Sequence, residues 1–414
     1  GKNEDLATIG EKLNVATLLD GSVRKAGNRV RISVQLVKAA DRVQLWSETY
    51  DRSLEDIFAV QDDIAQSVVK ELRTTLLGQA PDSDASGNVR AEVAAAAGGH
   101  GQNPEAHRLY LQGRYYVDRL NEEDSKKAIQ FLEDAVKLDP THAAAWAELA
   151  RAYANCAGFG WLGVREGFQR AREAAQRAID VRPDLADGYA RMAGIKRMHD
   201  WDWDGADALI QRALEMEPGN AECLRAAGSL AHMRGRYQDA ERFYRRAIEQ
   251  DPLNAGGFSV LGLLYRTVDR LPEAEMMFRK ALDLSPQRIS THNILGVVLA
   301  EQGRHEEGLA EVLKEPADWA RLTGLAYVNY LAGRRRESDD ALRELTEKHG
   351  DTSAYQVALI HATRGEVDAA FHWLDRSVED KDTGTAMMFS EPRFRPIHGD
   401  PRWRLLLRRI GLDA

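Results

Sequence analysis

The fold is decided by residues 258–286, which read FSVLGLLYRTVDRLPEAEMMFRKALDLSP. Apolar residues recur in this stretch three and four positions apart, first at Phe258, Leu261 and Tyr265, and then at Ala274, Phe278 and Ala281. Residues at that spacing share one face of a helix, so the stretch predicts two helices with one apolar face each. Gly262 is small enough to let the helices approach closely, and Pro286 ends the second helix. A single hairpin of this kind cannot bury its apolar face, so similar hairpins must stack on it.

This pattern resembles the tetratricopeptide repeat (TPR), in which an aromatic residue, Leu-Gly, Tyr, an Ala-x-x-x-Phe pair and a closing Pro recur about every 34 residues. Closing prolines stand at Pro140, Pro183, Pro218, Pro252 and Pro286. After Pro286 the pattern weakens: a sixth repeat has its second helix cut short by Pro316, and a seventh and an eighth follow. The resemblance implies a mainly α fold, a TPR α-solenoid of about eight helical hairpins over residues 104–398, with a C-terminal capping helix at 399–414.

Residues 1–78 have a different pattern, which predicts a small α/β domain with the element order α-β-β-β-α. Alternating apolar and polar residues from Val30 to Leu36 are typical of a half-buried strand, and the turn residues before them predict a hairpin. We expect an antiparallel meander between two helices, with helices at 3–13 and 57–76 and strands at 16–24, 30–36 and 43–50. Small and polar residues without periodicity predict a flexible linker at 79–103.

Three motifs of this domain are similar to the TolB amino-terminal-like domain: DGSVRKAGNRVRI at 20–32, LWSETYDR at 45–52 and IFAVQD at 57–62. In bacteria that domain commonly precedes TPR arrays in signalling proteins, which often carry a class III adenylate cyclase, a protein kinase or a winged-helix DNA-binding domain further upstream. Members of the family begin with an additional strand and helix, which this sequence lacks. The resemblance therefore implies a partial domain, and we expect the sequence to be a fragment of a longer protein.

Charge and composition exclude several classes of protein. The formal net charge of −9 argues against a general nucleic-acid binder, which needs a positive surface. No apolar run approaches the roughly 18 residues of a membrane helix. No secretory signal opens the sequence, so we expect a cytoplasmic protein. Cys156 and Cys223 are expected to be buried thiols in a reducing compartment, not a disulfide.

The sequence contains no recognisable catalytic, cofactor or metal motif. Gly10-Glu11-Lys12 lacks the glycine-rich approach and the following Ser or Thr of a phosphate-binding loop. His305-Glu306-Glu307-Gly308 continues without the second His of a zinc-binding His-Glu-x-x-His. We therefore expect this chain to have no enzyme activity, no cofactor and no metal ligands. A catalytic domain, if the protein has one, would lie upstream.

Binding is the function that the repeat pattern favours. In a TPR solenoid the first helix of each hairpin lines a concave groove, and alignment of the repeats at their small eighth residue predicts the side chains that point inward. These are Tyr110, Arg114, Arg151, Asn155, Arg191, Arg197, Arg225, Ser229, Arg266, Asn293, Tyr327 and Tyr330. Arginine binds carboxylates at two points, so we expect a protein or peptide partner with an acidic segment or a free C-terminus. The alternative is that these arginines pair with Glu and Asp of adjacent helices.

We predict a non-catalytic protein- or peptide-binding scaffold, the regulatory part of a bacterial signalling protein. The alternatives are the regulatory portion of a class III adenylate cyclase or of a winged-helix transcription regulator. The exposed sheet edge, where the missing strand belongs, predicts a homodimer. Trp161, Trp201 and Trp203 lie in inserted or connecting segments. They either anchor a partner or fill gaps between irregular repeats and the amino-terminal domain, and the usual burial of large aromatics favours the second interpretation.

Overall fold

A computed structural model of the chain describes residues 5–13, 15–27, 29–53, 64–65, 67–68 and 103–412. The chain divides into two compact units, Gly1–Glu105 and Ala106–Ala414. The predicted second helix of the first unit and the predicted linker lie outside the described residues, apart from residues 64–65, 67–68 and 103.

A three-stranded antiparallel sheet dominates the described part of the first unit. Helix α1 spans Leu6–Leu13, and strands β1, β2 and β3 span Thr17–Ala26, Arg29–Lys38 and Gln44–Ser53. The strands lie in the order β1-β2-β3, with Gly21 opposite Val34 and Ile32 opposite Tyr50. Val34 and Tyr50 are buried, as the alternating pattern of the central strand requires. The predicted meander is confirmed.

Residues 103–412 contain eight helical hairpins in succession, which we number one to eight. Their helix pairs are α2 (Pro104–Arg119) and α3 (Glu122–Leu138), α4 (Ala143–Gly158) and α5 (Val164–Val181), α6 (Ala186–Ile195) and α7 (Trp203–Met216), α8 (Ala221–Met233) and α9 (Tyr237–Gln250), α10 (Ala255–Thr267) and α11 (Leu271–Leu284), α12 (Thr291–Glu301) and α13 (His305–Val312), α14 (Asp318–Leu331) and α15 (Arg335–His349), and α16 (Ala354–Thr363) and α17 (Val367–Glu379). A π-helical turn, Lys196–Asp200, extends α6. The predicted mainly α solenoid is confirmed, and α13 is short, as Pro316 predicted.

The apolar faces of a hairpin meet as their spacing predicts, and hairpin five shows how. Leu261 and Tyr265 of α10 and Phe278 of α11 are buried in one core. Gly262 lies against the Phe278 ring so closely that an added Cβ would stand 3.0 Å from it, which explains the small residue at this position. The same core includes Leu295 of hairpin six, so the apolar interior continues from one hairpin to the next.

The chain continues beyond the eighth hairpin as a segment that packs against it. Two 3-10 helices and a last α-helix follow α17, namely Thr383–Ser390, Pro392–Ile397 and α18 (Pro401–Arg409). We call residues 383–412 the C-terminal segment. Helix α18 packs on α17. Two contacts join them: Arg402 forms a 2.8 Å ion pair with Asp368, and the Arg402 guanidinium lies 4.3 Å from the centroid of the Phe371 ring.

The C-terminal segment also returns to much earlier hairpins. Thr267, at the end of α10, donates from its hydroxyl to the Ser390 carbonyl at 3.0 Å, and Trp203 Nε1 at the start of α7 donates to the Ile410 carbonyl at 2.6 Å. Phe394 is fully buried in a core shared with hairpins three, four and eight. The segment therefore covers part of the inner surface, by which we mean the surface formed by the first helices of the hairpins.

The solenoid curls far enough for hairpin one to contact the loop after hairpin five. The Ile289 amide, which precedes α12, donates to the Leu120 carbonyl, which follows α2, at 3.4 Å. Residues from hairpins that are far apart in sequence therefore face one another across the inner surface.

Candidate functional site

The structure distributes the twelve predicted groove residues among three environments. Four line a cavity on the inner surface: Arg114, Arg151, Asn155 and Arg225. Two contact the C-terminal segment: Arg266 and Tyr327. The remaining six are Tyr110, Arg191, Arg197, Ser229, Asn293 and Tyr330, and they contact side chains or backbone of the hairpins themselves.

The cavity has a volume of about 370 Å³ and is built from four hairpins. Its walls are the second half of α2, the inner face of α4, the start of α8, the start of α10 and the loop that follows α11. Five arginines and three carboxylates line it, so its charged residues carry a formal excess of two positive charges. The charged lining residues are Arg114, Arg119, Arg151, Arg225, Arg288, Asp118, Glu222 and Asp251.

A chain of ion pairs crosses one wall of the cavity from hairpin one to hairpin three. Arg151 of α4 binds Asp118 of α2 at 2.8 Å and Glu148 of its own helix at 2.6 Å. Glu148 also accepts from Arg191 of α6 at 3.1 Å. Arg191 is buried, at 8% exposure, and the Arg151 side chain is 15% exposed; charges so far removed from water need such partners. For these two residues the alternative interpretation, pairing with adjacent helices, describes what the structure contains.

The ion pairs continue into hairpin four. Glu222 of α8 binds both Arg191 and Arg225, with a distance of 2.7 Å to the Arg225 guanidinium. Burial alone would raise the pKa of Glu222, but the guanidinium groups of Arg225 and Arg191 hold it well below its usual value. The negative charge of Glu222 is therefore already compensated by Arg191 and Arg225. The ion pair also fixes the position of the Arg225 side chain, which lines the cavity.

Arg288, from the loop after α11, is a cavity residue that the repeat pattern did not identify. Among the described residues, no carboxylate oxygen lies within 4 Å of its guanidinium. Burial and the nearby charge of Arg225 lower the pKa of Arg288 to about 10. Its guanidinium lies beside Gly256 in the first turn of α10, where an added Cβ would stand 3.2 Å from a guanidinium nitrogen. A helix start carries partial positive charge, so this cation is in an electrostatically unfavourable position.

Arg266 shows the opposite situation. It is 2% exposed, and its guanidinium binds Glu301 of α12 at 2.7 Å and Glu391 of the C-terminal segment at 2.9 Å. Tyr327 of α14 donates its hydroxyl to Glu301 at 2.9 Å, and the Arg393 guanidinium lies 5.3 Å from the Tyr327 ring. Arg266 and Tyr327, two predicted groove residues, thus both contact the Glu301 carboxylate, and Arg266 also contacts that of Glu391. Both acidic residues belong to this protein and not to a partner.

Trp203 is buried, at 3% exposure, between hairpin three and the C-terminal segment. Trp201 is partly buried, with the Lys381 ammonium 3.5 Å from its ring centroid, and Trp161 stacks on Phe159 at 5.1 Å. Trp203 is thus a buried packing residue, as the gap-filling interpretation predicts. The part of the chain that it packs against is the C-terminal segment, whereas that interpretation named the amino-terminal domain.

The described residues contain no group of three or more His, Cys, Asp or Glu side chains placed to hold a metal ion. Cys156 and Cys223 are free and buried, and burial raises the pKa of the Cys156 thiol to about 11, which disfavours the reactive thiolate. No helix within the described ranges combines the length and the apolar character that crossing a bilayer requires.

The repeats also match known families. One family model of the tetratricopeptide repeat matches residues 109–142, and a second matches residues 202–255. These stretches correspond to hairpin one and to α7, α8 and α9. The chain therefore contains tetratricopeptide repeats, and proteins of this class are typically non-enzymatic scaffolds that bind protein or peptide partners.

One curated protein is similar in sequence to part of this chain, and several solved structures are similar to part of it in fold. "Putative adenylate cyclase 3" of Rhizobium meliloti (strain 1021) is 33% identical over 195 residues, which are 47% of this chain and 31% of that protein. The chain thus aligns with about a third of that relative's length. Pseudomonas aeruginosa pilF is 17% identical with a TM-score of 0.40, and the match covers 53% of this chain and 96% of that one. YrrB, described as a TPR protein with an unusual peptide-binding site, is 15% identical with a TM-score of 0.30, over 51% and 97% of the two chains.

Proposed function

We propose that this chain is a non-catalytic scaffold that binds an acidic protein or peptide segment in the inner cavity. The observation that carries the proposal is the charge of that cavity, where five arginines face three carboxylates and two of the arginines, Arg114 and Arg288, form no ion pair with a carboxylate of the described residues. Arg288 is half-buried, and even partial removal of an uncompensated cation from water costs free energy that a bound carboxylate would offset. An acidic ligand is therefore the partner that matches this surface.

The C-terminal segment shows that an inner arginine of this solenoid can bind a carboxylate, which supports the proposal. Arg266 holds the Glu391 carboxylate at 2.9 Å, which is the contact that an acidic partner would make with an inner arginine. The example also narrows the proposal, because Arg266 and Tyr327 already have partners. The binding surface we propose is therefore the cavity alone, with Arg114, Arg225 and Arg288 as its charged contacts.

Direct binding of defined peptides tests the proposal. Fluorescein-labelled octapeptides with acidic, neutral or basic side chains would be titrated with the chain, and binding would be followed by fluorescence anisotropy. We expect the acidic peptide to bind most tightly and to lose affinity as salt rises, because the contacts are electrostatic. Arg114→Glu should weaken it by about tenfold or more, a change of about 1.4 kcal/mol.

Arg336→Glu is the matched control, since Arg336 is an exposed residue of α15 with the same change of charge. Affinity equal to that of the unmodified chain is expected for this variant. The proposal would be wrong if none of the three peptides bound, or if Arg114→Glu and Arg336→Glu had the same effect.

A second proposal concerns the whole protein, which we infer to be a bacterial signalling protein of the cytoplasm. The relative named as an adenylate cyclase supports a class III cyclase whose regulatory portion is this chain. The described meander of the first unit is compatible with the TolB amino-terminal-like domain that the motifs resemble. The coding sequence upstream of Gly1 tests this: a cyclase domain with metal-binding aspartates would support it, whereas a winged helix would favour a transcription regulator.

We also propose that strand β1 mediates a homodimer. Among the described strands, β1 pairs only with β2, and its side chains Leu19 and Val23 are 52% and 68% exposed. An unpaired edge of ten residues can add a strand from a second copy. Light scattering over a range of concentrations tests this. We expect the measured mass of the unmodified chain to rise to twice the mass of one chain as concentration increases, and we expect the Val23→Lys variant to stay at the mass of one chain. A monomer at every concentration would contradict the proposal.

A further inference from the structure

Two arginines of the inner cavity carry positive charge that the described residues do not compensate. Arg288, from the loop after α11, and Arg114, from the second half of α2, both line the cavity, and neither forms an ion pair with a carboxylate of the described residues. Arg114 is hydrogen-bonded to the Tyr110 phenol, which burial keeps neutral by raising its pKa. The uncompensated charge of the cavity is therefore concentrated on these two side chains.

The other arginines at the cavity wall are matched by carboxylates of the same or adjacent helices. Equal numbers of arginines and carboxylates take part: Arg119, Arg151, Arg191 and Arg225 pair with Asp118, Asp124, Glu148 and Glu222. These pairs leave little charge for a ligand to neutralise. A ligand of the cavity therefore has two positive charges to neutralise, those of Arg114 and Arg288.

The surroundings of Arg288 add to the positive potential in its part of the cavity. Its guanidinium lies beside Gly256 in the first turn of α10, where an added Cβ would stand 3.2 Å from a guanidinium nitrogen. A helix start carries partial positive charge and favours anions. Arg225 of α8 lines the same cavity, and its charge helps to lower the pKa of Arg288. An anion with more than one negative charge would relieve the repulsion among these groups.

The cavity also contains a carboxylate that takes part in no ion pair of the described residues. Asp251, which follows the last residue of α9, accepts from the Asn254 side chain at 3.2 Å. Asn155 and Ser285 line the cavity with further polar groups. Asp251 repels a ligand that carries only negative groups, whereas a hydroxyl group can donate a hydrogen bond to it. The cavity therefore favours a ligand with an anionic end and a hydroxylated end.

A phosphate monoester matches this distribution of charge better than a carboxylate does. It carries about 1.5–2 negative charges at pH 7 on a single group with three acceptor oxygens, whereas a carboxylate carries one charge. One phosphate can therefore neutralise both Arg114 and Arg288, and guanidinium groups are well suited to bind it. The cavity volume of about 370 Å³, at the lower end of the range of roughly 300–1,000 Å³ for ligand pockets, suits a small molecule.

We infer that the inner cavity binds a small phosphate monoester with a hydroxylated body, that is, a sugar or polyol phosphate. Arg288 and Arg114 hold its phosphate group, and Asp251 accepts hydrogen bonds from its hydroxyl groups. The inference goes beyond the proposed function, because the ligand is a small molecule and not a protein. Since both ligands use the same arginines, the phosphate ester competes with the acidic segment and so regulates the scaffold; this last step rests on the proposed function.

Calorimetric titration of the full chain at pH 7.5 with three small molecules tests the inference. The probes are glycerol 1-phosphate, methyl phosphate and methyl sulfate, of which the last has the shape of methyl phosphate but a single negative charge. We expect glycerol 1-phosphate to bind most tightly, and methyl sulfate to bind about tenfold or more weakly than methyl phosphate. Equal affinities for methyl phosphate and methyl sulfate would overturn the inference, because the cavity would then not recognise the second charge.

Substitutions assign the binding to the cavity. Arg288→Gln should weaken the binding of glycerol 1-phosphate by about tenfold or more, and Arg288→Lys should restore part of the affinity. Asp251→Asn should reduce the advantage of glycerol 1-phosphate over methyl phosphate, which has no alcohol group. Arg336→Gln, at an exposed arginine of α15 with the same loss of charge, should change no affinity. Binding that Arg288→Gln leaves unchanged would overturn the inference.

Competition with the labelled acidic octapeptide separates this inference from the proposed function. Glycerol 1-phosphate should displace the octapeptide and lower its fluorescence anisotropy. If the octapeptide binds and no phosphate ester does, the inference is wrong and the proposed function stands. If the phosphate esters bind and the octapeptide does not, the proposed function is wrong and the phosphate site stands. Binding of both ligands without displacement would contradict their shared use of Arg114 and Arg288.

Melting temperature supplies a readout of folding for the variants. Arg288 makes no ion pair with the described residues, so Arg288→Gln is expected to melt at or above the temperature of the unmodified chain. The comparison of methyl phosphate with methyl sulfate uses the unmodified chain, so the inference stays falsifiable even if Arg288→Gln folds poorly.

Discussion

Glu391→Gln measures how strongly the C-terminal segment is held on the inner surface. The Glu391 carboxylate is 9% exposed and accepts from Arg266 at 2.9 Å and from Arg393 at 2.8 Å. Removing one partner of a buried ion pair costs about 3–5 kcal/mol, but Arg266 keeps its two-point contact with Glu301. We therefore expect a loss of about 2–3 kcal/mol in the free energy of unfolding. At roughly 2 °C per kcal/mol, this corresponds to a melting temperature lower by roughly 5 °C.

Urea unfolding at pH 7 and hydrogen exchange over residues 383–397 would measure the effect. Asp269→Asn is the matched control, because Asp269 also pairs with the C-terminal segment, at 2.9 Å from Arg395, but is 68% exposed on its side chain. An exposed pair of this kind contributes less than about 1 kcal/mol. If Glu391→Gln cost no more than Asp269→Asn, or left exchange in the segment unchanged, then burial of the pair would not be what holds the segment.

The pH dependence of the same variant has a definite sign. Burial alone would raise the pKa of Glu391, but Arg266 and Arg393 lower it far below its usual value. A carboxyl group whose pKa is lowered on folding stabilises the protein above its unfolded pKa, near 4.5, and this contribution is lost as pH falls below that value. The difference in stability between the unmodified chain and Glu391→Gln should therefore be constant from pH 7 to about pH 5 and should narrow in more acidic solution.

Three other predictions follow from buried groups. Burial lowers the pKa of His232 to about 4, so the neutral imidazole is favoured in the fold, and stability should fall by about 3 kcal/mol as pH drops from about 6.5 to about 4. His232→Gln should lose less over the same range in urea unfolding, and an identical loss would refute the assignment. Gly228→Ala would place a Cβ 2.5 Å from the Tyr244 ring, so we expect a net loss of about 1–2 kcal/mol after the gain in helix propensity, whereas Gly194→Ala, with open space around it, should stabilise slightly. The Cys156 thiol, buried with its pKa raised to about 11, should react with a thiol reagent only as fast as the protein unfolds, and rapid labelling of the native chain would contradict its burial.

The repeat architecture was predictable from sequence because its determinants are local. Spacings of three and four residues set the apolar face of each helix, and closing prolines such as Pro252 and Pro286 set where a hairpin ends. Even the irregular sixth hairpin follows this rule, since α13 ends at Val312, shortly before Pro316. Each of these signals acts within one or two turns of helix, so it does not depend on how the hairpins curve around the inner surface.

The composition of the site was less predictable because it depends on contacts between distant parts of the chain. The inward positions were assigned from an ideal repeat, and among them Arg151 and Arg225 line the cavity. The same procedure could not find Arg288, because its place there requires the loop after hairpin five to reach hairpin one. Nor could it find Glu391, which lies outside the repeats and reaches Arg266 only because the C-terminal segment returns over 125 residues of sequence.

Arg266 and Arg288 together indicate how structural and ligand-binding arginines can be told apart in such a solenoid. Both are inner residues of hairpin five or of the loop after it; Arg266 is buried and Arg288 is half-buried. Neighbouring carboxylates raise the pKa of Arg266 well above its usual value despite its burial, whereas burial and Arg225 lower that of Arg288. The chain supplies the counter-charge for Arg266 from its own Glu301 and Glu391, and the described residues supply none within ion-pair distance of Arg288. Since a buried cation is stable only with an anion beside it, the arginine without one is where an external carboxylate gains the most by binding.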